Sequence, residues 1–286
     1  MDRLADFRSV FARAVMARAG LTDPHLLRAF SEVPRHEFIG ASPWYFNEHG
    51  PPVISDPAVL YQDVAMGLAA ERGITTGLPS LHARCIAACE LKPGENVIQV
   101  GAGSGYFTAI LAELVGESGS VLAFEIDHSL ATAAERNLKR WRQVLVEATS
   151  GVSGISGSAD VVYVSAGVQQ LPRAWFEALA LGGRLLVPIT PGAAEEGGIF
   201  VIRRFASKTV LKAEFVCRAR FVPCLGAEDE AASALLKEAF AAGGHDAVRS
   251  LRLYPEMPDE TAWFRGRDWW LSTRSETGEV AVDQNT

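Results

Sequence analysis

The sequence predicts an α/β fold, with a mostly parallel central sheet, helices on both faces and additions at both termini. Three observations predict it. Short apolar runs alternate with segments of helical period between residues 79 and 189. The first of these runs leads directly into a glycine cluster that opens a helix. Of the 286 residues, 48% are hydrophobic and 21% charged, which is ordinary for a globular chain and sufficient for a sizeable core.

Helical spacing covers residues 7–32, through Phe7, Val10, Phe11, Ala14 and Val15 and then Leu26, Leu27 and Phe30. Asp23 before Pro24 has the form of an N-cap with proline in the first turn. Residues 33–62, rich in Pro, Gly, His and aromatics, read as an irregular wrapping segment. Residues 79–90 return to helical spacing and stop at the turn Leu91-Lys92-Pro93-Gly94. Residues 96–100 form a buried strand, 101–105 a glycine loop and 106–115 a helix. A strand at 121–126, a helix at 129–141 and strands at 144–148 and 160–164 follow. Residues 175–181 predict a short helix, Gly182-Gly183 a turn and 184–189 a strand. Residues 199–206 and 210–222 read as a terminal antiparallel pair. Beyond them lie an alanine-rich helix (228–242, ending at Gly243-Gly244), a strand (248–253) and an aromatic-rich stretch (263–271). From Ser275 the chain is polar, and its end is expected to be disordered.

Against 27 Lys and Arg stand 34 Asp and Glu, a formal charge of −7. No basic block exceeds a pair such as Arg203-Arg204, which argues against nucleic-acid binding. No apolar run reaches the length of a membrane-spanning helix. The acids Asp2 and Asp6 do not fit a secretory leader, and Cys85, Cys89, Cys217 and Cys224 are too few for a disulfide framework. A cytoplasmic protein is expected, with neither nucleic acid nor membrane as partner and its oligomeric state open.

The segment from Val97 to Val100 runs into Gly101-Ala102-Gly103-Ser104-Gly105 and then the helix at Tyr106. Glycines there let the backbone turn sharply and approach a ligand beside a helix N-terminus. Twenty residues past Gly105, Glu125 closes the next strand, where a carboxylate can take both hydroxyls of a ribose. The third glycine comes one position early for a dinucleotide loop, because residue 106 is Tyr. A cofactor with a ribose and no pyrophosphate fits best, with S-adenosylmethionine as the leading candidate.

These residues resemble class I S-adenosylmethionine-dependent methyltransferases with a Rossmann-like core, and specifically the protein-L-isoaspartate O-methyltransferase family. Six stretches carry the likeness across residues 7–226: Val33-Pro34-Arg35-His36-Glu37-Phe38, Tyr61-Gln62-Asp63, Gly73-Ile74-Thr75-Thr76-Gly77-Leu78-Pro79-Ser80, the turn at Leu91 with the glycine loop, Gly182-Gly183-Arg184-Leu185-Leu186-Val187-Pro188, and Arg220-Phe221-Val222-Pro223. The resemblance implies a substrate-side segment (1–78), a cofactor-binding catalytic core (79–226) and a C-terminal extension (227–286). It implies a cofactor set of Gly101, Ala102, Gly103, Ser104, Gly105, Tyr106, Glu125, Ile126, Thr149 and Ser165. It also implies methyl transfer to a carboxylate of a protein or peptide.

The departures bear on the acceptor. Gly77 stands where the family pattern has Ser, Leu78 and Ile74 where it has Gln, and Gln99 where an acid precedes the loop. The usual Gly-Asp-Gly after the third strand is replaced around Thr149, Ser150 and Gly151. Thr75 and Thr76 are the candidate replacements for the missing hydroxyl, or they cap the helix that begins at Pro79. Asp63 orients the acceptor or closes the site over the cofactor, or is a solvated loop carboxylate. His82 faces the cleft, or is a partly buried histidine with a satisfied hydrogen bond. Cys85 and Cys89 read as a core stripe with Ala88 rather than zinc ligands, so no metal is expected. Trp263, Phe264, Trp269 and Trp270 roof an acceptor pocket, or pack a terminal hairpin. Two alternatives stand beside protein carboxyl methylation: a different small-molecule or peptide acceptor, and a catalytically inert cofactor-binding protein.

Overall fold

A computed structural model describes residues 3–41, 43–46, 52–53, 56–155, 157–193 and 195–277. The polar tail expected to be disordered falls, from residue 278 onward, outside the described residues. The chain forms two compact units, Met1–Thr149 and Ser150–Thr286. Among the described residues no helix is long and apolar enough to cross a membrane.

The first unit holds α1 (Arg3–Ala19), α2 (Pro24–Glu32), the short strands β1 (Trp44–Tyr45), β2 (Pro52–Val53), β3 (Gly67–Ala69) and β4 (Ile74–Thr75), then α3 (Pro79–Cys89). The alternation follows as β5 (Asn96–Val100), α4 (Tyr106–Val115), β6 (Ser120–Phe124), α5 (His128–Asn137) and β7 (Val144–Glu147). β6 lies between β5 and β7, parallel to both, with Val100 opposite Phe124 and Phe124 opposite Glu147. The carboxyl ends of the three strands are therefore level, and the glycine loop and Glu125 both leave from that edge. In open α/β sheets ligands bind at this edge.

Local sequence sets the helix starts. Asp23 accepts hydrogen bonds from the backbone N–H of His25 (2.8 Å) and Leu26 (3.3 Å), with Pro24 in the first turn. Asp127 caps α5 in the same way through Ser129 and Leu130 (both 2.9 Å). That cap explains why β6 stops at Phe124 rather than Ile126: residues 125–127 form the connection into the helix. α5 ends at Asn137, short of the expected Trp141, whose indole instead donates to Glu113 Oε1 at 2.7 Å.

The irregular segment after α2 is ordered by one buried side chain. Arg35 is fully buried, and its guanidinium donates to the carbonyls of Leu60 (2.8 Å), Gln62 and Val64 (2.5 Å). It also lies 5.3 Å from the Phe11 ring and 5.9 Å from the Tyr106 ring. Burial lowers its pKa to about 10, so the guanidinium remains charged at neutral pH and its carbonyl partners and aromatic neighbours compensate that charge. Beside it Leu60 and Met66 close a small apolar cluster with Ile39 and Trp44.

The second unit holds β8 (Ala159–Val164), α6 (Arg173–Ala178), β9 (Leu179–Ile189), β10 (Gly197–Arg203), β11 (Val210–Ala219), α7 (Glu230–Ala242), β12 (Ser250–Leu253), β13 (Ala262–Arg265) and β14 (Trp269–Ser272). β8 and β9 are parallel, and β9, β10 and β11 antiparallel. The expected turn at Gly182-Gly183 is instead part of β9. Ala159 pairs with Leu179 and Val161 with Arg184, so residues 180–183 stand opposite Asp160 alone. Both glycines also bond across to Arg204 (2.7 and 2.9 Å). A glycine pair suits a wide bulge as well as a turn. Nor is the antiparallel pair the end of the sheet, because β12, β14 and β13 add in succession beyond β11. Trp269 and Trp270 are fully buried in this hairpin, and Trp270 donates to Glu256 O at 2.8 Å. The aromatic cluster therefore packs the hairpin instead of roofing a pocket.

Replacing Arg35 with Met leaves three carbonyls without their donor. Unfolding free energy, measured by urea titration, should fall by about 3 kcal/mol or more, since each unpaired buried group costs about 1–3 kcal/mol. Asp127→Ala should cost only about 1 kcal/mol, the value of a helix cap. Equal effects from the two substitutions would show that the segment is held by something other than Arg35.

Candidate active site

The glycine loop is built on the Phe124 carbonyl, which accepts from the N–H groups of Gly101 (2.9 Å) and Ala102 (3.1 Å). Gly103 then donates to Glu125 Oε2 at 2.7 Å, and Asp127 N donates to Glu125 Oε1 at 3.0 Å. Each carboxylate oxygen is thus fixed by one backbone donor and keeps lone pairs for further hydroxyls. Glu125 is 8% exposed. Burial raises its pKa, and the backbone hydrogen bonds from Asp127, Gly103 and Ile126 oppose that shift.

Two glycines are required by the geometry. Gly105 has φ 94°, and a Cβ there would lie 2.8 Å from Leu138 Cδ1. Gly103 has φ 57° with Leu68 Cδ1 at 3.3 Å from its would-be Cβ. The β3–β4 hairpin therefore reaches the glycine loop, and Arg72 beside it forms an ion pair with Asp127. Neither Leu68 nor Arg72 stands out in the sequence, because each acts through a partner more than thirty residues away.

Ala102 and Ser104 are buried, and the Ser104 carbonyl accepts from Asn137 Nδ2 at 3.0 Å. The Tyr106 ring packs into the core with Phe30 and Phe38, and burial pushes its hydroxyl pKa up. What Tyr106 can offer a ligand is its backbone in the first turn of α4. Ile126 is 45% exposed beside Glu125, an apolar surface next to a polar anchor. Thr149 is exposed, its N–H bonded to Glu147 O at 2.9 Å. Ser165 lies in the second unit at the end of β8, its Oγ buried without a hydrogen-bond partner. Gln99 is buried, with its Oε1 also unpaired.

The other candidates gather around the N-terminus of α3. Asp63 Oδ1 accepts from Ser80 N at 2.8 Å, and Oδ2 lies 3.3 Å from Arg18 Nε. Asp63 thus caps α3 from a distant segment and is not a solvated loop carboxylate. Neither threonine caps α3, whose N-cap is Leu78 without a side-chain bond. Thr76 Oγ1 accepts from Met66 N (3.0 Å) and donates to Gly77 O (3.1 Å). Thr75 Oγ1 accepts from Gly77 N at 3.2 Å, which leaves its hydroxyl hydrogen to donate. His82 is buried and stacked on Phe107, ring centroids 3.8 Å apart at 16°, and desolvation pushes its pKa down to about 3. Cys85 and Cys89 are buried in the same helix. Among the described residues no group of three His, Cys, Asp or Glu is placed to hold a metal ion.

The fold is that of the α/β methyltransferases. A solved protein-L-isoaspartate O-methyltransferase superposes with a TM-score of 0.66 at 22% identity, covering 96% of this chain and 88% of its own. A Plasmodium falciparum structure, described as a protein-L-isoaspartate O-methyltransferase in complex with S-adenosyl-L-homocysteine, gives 0.62 at 19% identity over 76% of this chain and 97% of its own.

The family model for protein-L-isoaspartate(D-aspartate) O-methyltransferase matches residues 13–229. The Rhodopseudomonas palustris protein-L-isoaspartate O-methyltransferase is 34% identical over 76% of this chain and 91% of its own. A Geotalea uraniireducens relative of that name is 29% identical over 79% and 96%. The Thermotoga maritima relative is 29% identical over 66% of this chain, the match spanning 58% of its length. The chain belongs to the protein-L-isoaspartate(D-aspartate) O-methyltransferase family, whose members are S-adenosylmethionine-dependent enzymes.

Glu125→Gln separates binding from folding. The Gln amide oxygen can accept from only one of the two backbone N–H groups, so the thermal midpoint should fall by a few degrees, the equivalent of about 1 kcal/mol, while the protein stays folded. Affinity for S-adenosylhomocysteine, measured by calorimetry, should fall about 10- to 100-fold with the loss of charge-assisted hydrogen bonds. Wild-type affinity in this variant would remove Glu125 from the site.

Proposed function

We propose that this chain binds S-adenosylmethionine at the 101–105 loop and transfers its methyl group to a carboxylate of an isoaspartyl-type protein or peptide. The observation that carries this reading is the Glu125 carboxylate, held by Gly103 and Asp127 at the carboxyl edge of the sheet. In this reading residues 1–78 are the substrate-side segment, 79–226 the catalytic core and 227–286 an extension.

The cofactor supplies an electrophilic methyl on a sulfonium; transfer to a carboxylate oxygen breaks the S–C bond, forms an O–C bond and moves no proton. A carboxylate is already nucleophilic, so the protein needs to position it and exclude water rather than deprotonate it. Glu125 would hold the ribose hydroxyls, the glycine loop would leave room for the cofactor against its backbone, and Ile126 would offer an apolar surface beside them. Thr149, just past β7, would complete the cofactor set of this unit. On the acceptor side Thr75 donates its hydroxyl to the carboxylate, Thr76 braces the turn, and Asp63 fixes α3 beneath it.

A second reading, a small-molecule or other peptide acceptor, is favoured by the position of His82 against Gly77 in place of the family serine. An inert role through a C-terminal aromatic surface has less support, because Trp269 and Trp270 are fully buried.

Radiolabelled S-adenosylmethionine with a synthetic isoaspartyl peptide, and the normal aspartyl peptide as control, tests the reading. A base-labile label on the isoaspartyl peptide alone is expected; no label at micromolar enzyme would overturn it. Thr75→Val should lower kcat about 10-fold or more, the loss of about one hydrogen bond to a charged group, and Thr75→Ser should retain it.

A further inference from the structure

We propose that Arg72 is a positioning residue for the cofactor: through Asp127 it fixes the backbone that braces Glu125, and so sets how tightly S-adenosylmethionine is held. This rests on the reading above that places the cofactor at Glu125 and the 101–105 loop. The Glu125 carboxylate has one backbone donor on each oxygen, Gly103 N on Oε2 (2.7 Å) and Asp127 N on Oε1 (3.0 Å). The β3–β4 hairpin touches both donor residues. On one side Leu68 Cδ1 lies 3.3 Å from where a Cβ on Gly103 would stand. On the other the Arg72 guanidinium donates to Asp127 Oδ2. A segment that meets both braces of one carboxylate is placed to hold its orientation from outside the loop.

The two oxygens of Asp127 divide the work. Oδ1 accepts from the N–H groups of Ser129 and Leu130 (both 2.9 Å) and caps α5, which leaves Oδ2 to Arg72. The helix start therefore does not need the arginine, whereas the connection between β6 and α5 is tied by it to the hairpin. Hydrogen bonds from Ser129 and Arg72 hold the Asp127 carboxyl well below the usual carboxylate range, so the pair is ionised at neutral pH. Glu71 Oε1, 3.5 Å from Arg72 Nε, shares the guanidinium from the hairpin side. The Arg72 side chain is 47% exposed and that of Asp127 14%. An ion pair so open to solvent adds little to global stability. Its effect is local. β3 and β4 form a two-stranded sheet of their own, and the pair joins this sheet to the strand edge that carries Glu125. Without Arg72 the Asp127 backbone is freer to turn away, Glu125 keeps one firm brace instead of two, and the cost falls on cofactor affinity.

The experiment compares full-length wild type, Arg72→Ala, Asp127→Asn and the double variant, with calorimetric affinity for S-adenosylhomocysteine as the main readout. Asn keeps a side-chain oxygen for the helix cap and the backbone N–H for Glu125, and loses only the charge that holds Arg72. Arg72→Ala should lower affinity about threefold or more, with the thermal midpoint within about 2 °C of wild type. Asp127→Asn should lose a similar factor. The double variant should lie within about twofold of the weaker single one, because both substitutions break the same link. In label transfer the KM for S-adenosylmethionine should rise with the loss of affinity, whereas a smaller folded fraction would lower kcat alone. A smaller loss of affinity in Arg72→Ala would overturn the proposal. So would a greater loss in the double variant, since Arg72 would then act apart from Asp127. A fall in kcat at unchanged KM would overturn it too. A wild-type protein that does not bind S-adenosylhomocysteine removes the cofactor reading and this inference together. A wild type that binds it, beside an Arg72→Ala variant of equal affinity, removes only the inference.

Discussion

A single buried cation ties the stretch after α2 to residues 60–64. Arg35 opens a single 3-10 turn (Arg35–Phe38), and its guanidinium donates to the carbonyls of Leu60, Gln62 and Val64 and packs against Phe11 and Tyr106. Removing a charge from water is costly, and burial lowers its pKa to about 10. The arrangement persists because backbone carbonyls and aromatic faces replace the water on several sides at once. The pinned segment contains Asp63, whose carboxylate caps α3 at Ser80. α3 carries His82 up against Gly77 and onto Phe107. The position of the turn at residues 75–78 therefore depends on a contact that begins at residue 35.

Residues 96–127 depend much less on distant contacts. Level strand ends, a glycine loop folded onto the Phe124 carbonyl and a carboxylate braced by two backbone N–H groups all arise within residues 96–127. The two stretches meet where Leu68 lies against Gly103 and Arg72 pairs with Asp127. This division fits the chemistry of methyl transfer, in which one set of contacts fixes the donor and another selects the acceptor.

What the sequence reveals follows the same division. The Asp23-Pro24 helix start, the strand–glycine–helix succession and Glu125 are local patterns with one physical solution each, and the structure has them. The bulge at Gly182-Gly183 escaped because a glycine pair suits a turn equally well, and only the register against β8 distinguishes the two. The work of Asp63, Thr76 and Arg35 escaped because each satisfies backbone groups on another segment. The pairing of Gly77 with His82 leaves a faint trace: a missing side chain next to an unusual buried polar one. Spacing alone could not show that the two occupy the same volume.

The most direct test of this account is a crystal structure with S-adenosylhomocysteine and an isoaspartyl peptide bound together. The account predicts the ribose hydroxyls on Glu125, and the peptide carboxylate within hydrogen-bonding distance of Thr75 Oγ1. A peptide carboxylate bound away from the 75–82 stretch, or a ribose that does not contact Glu125, would contradict it.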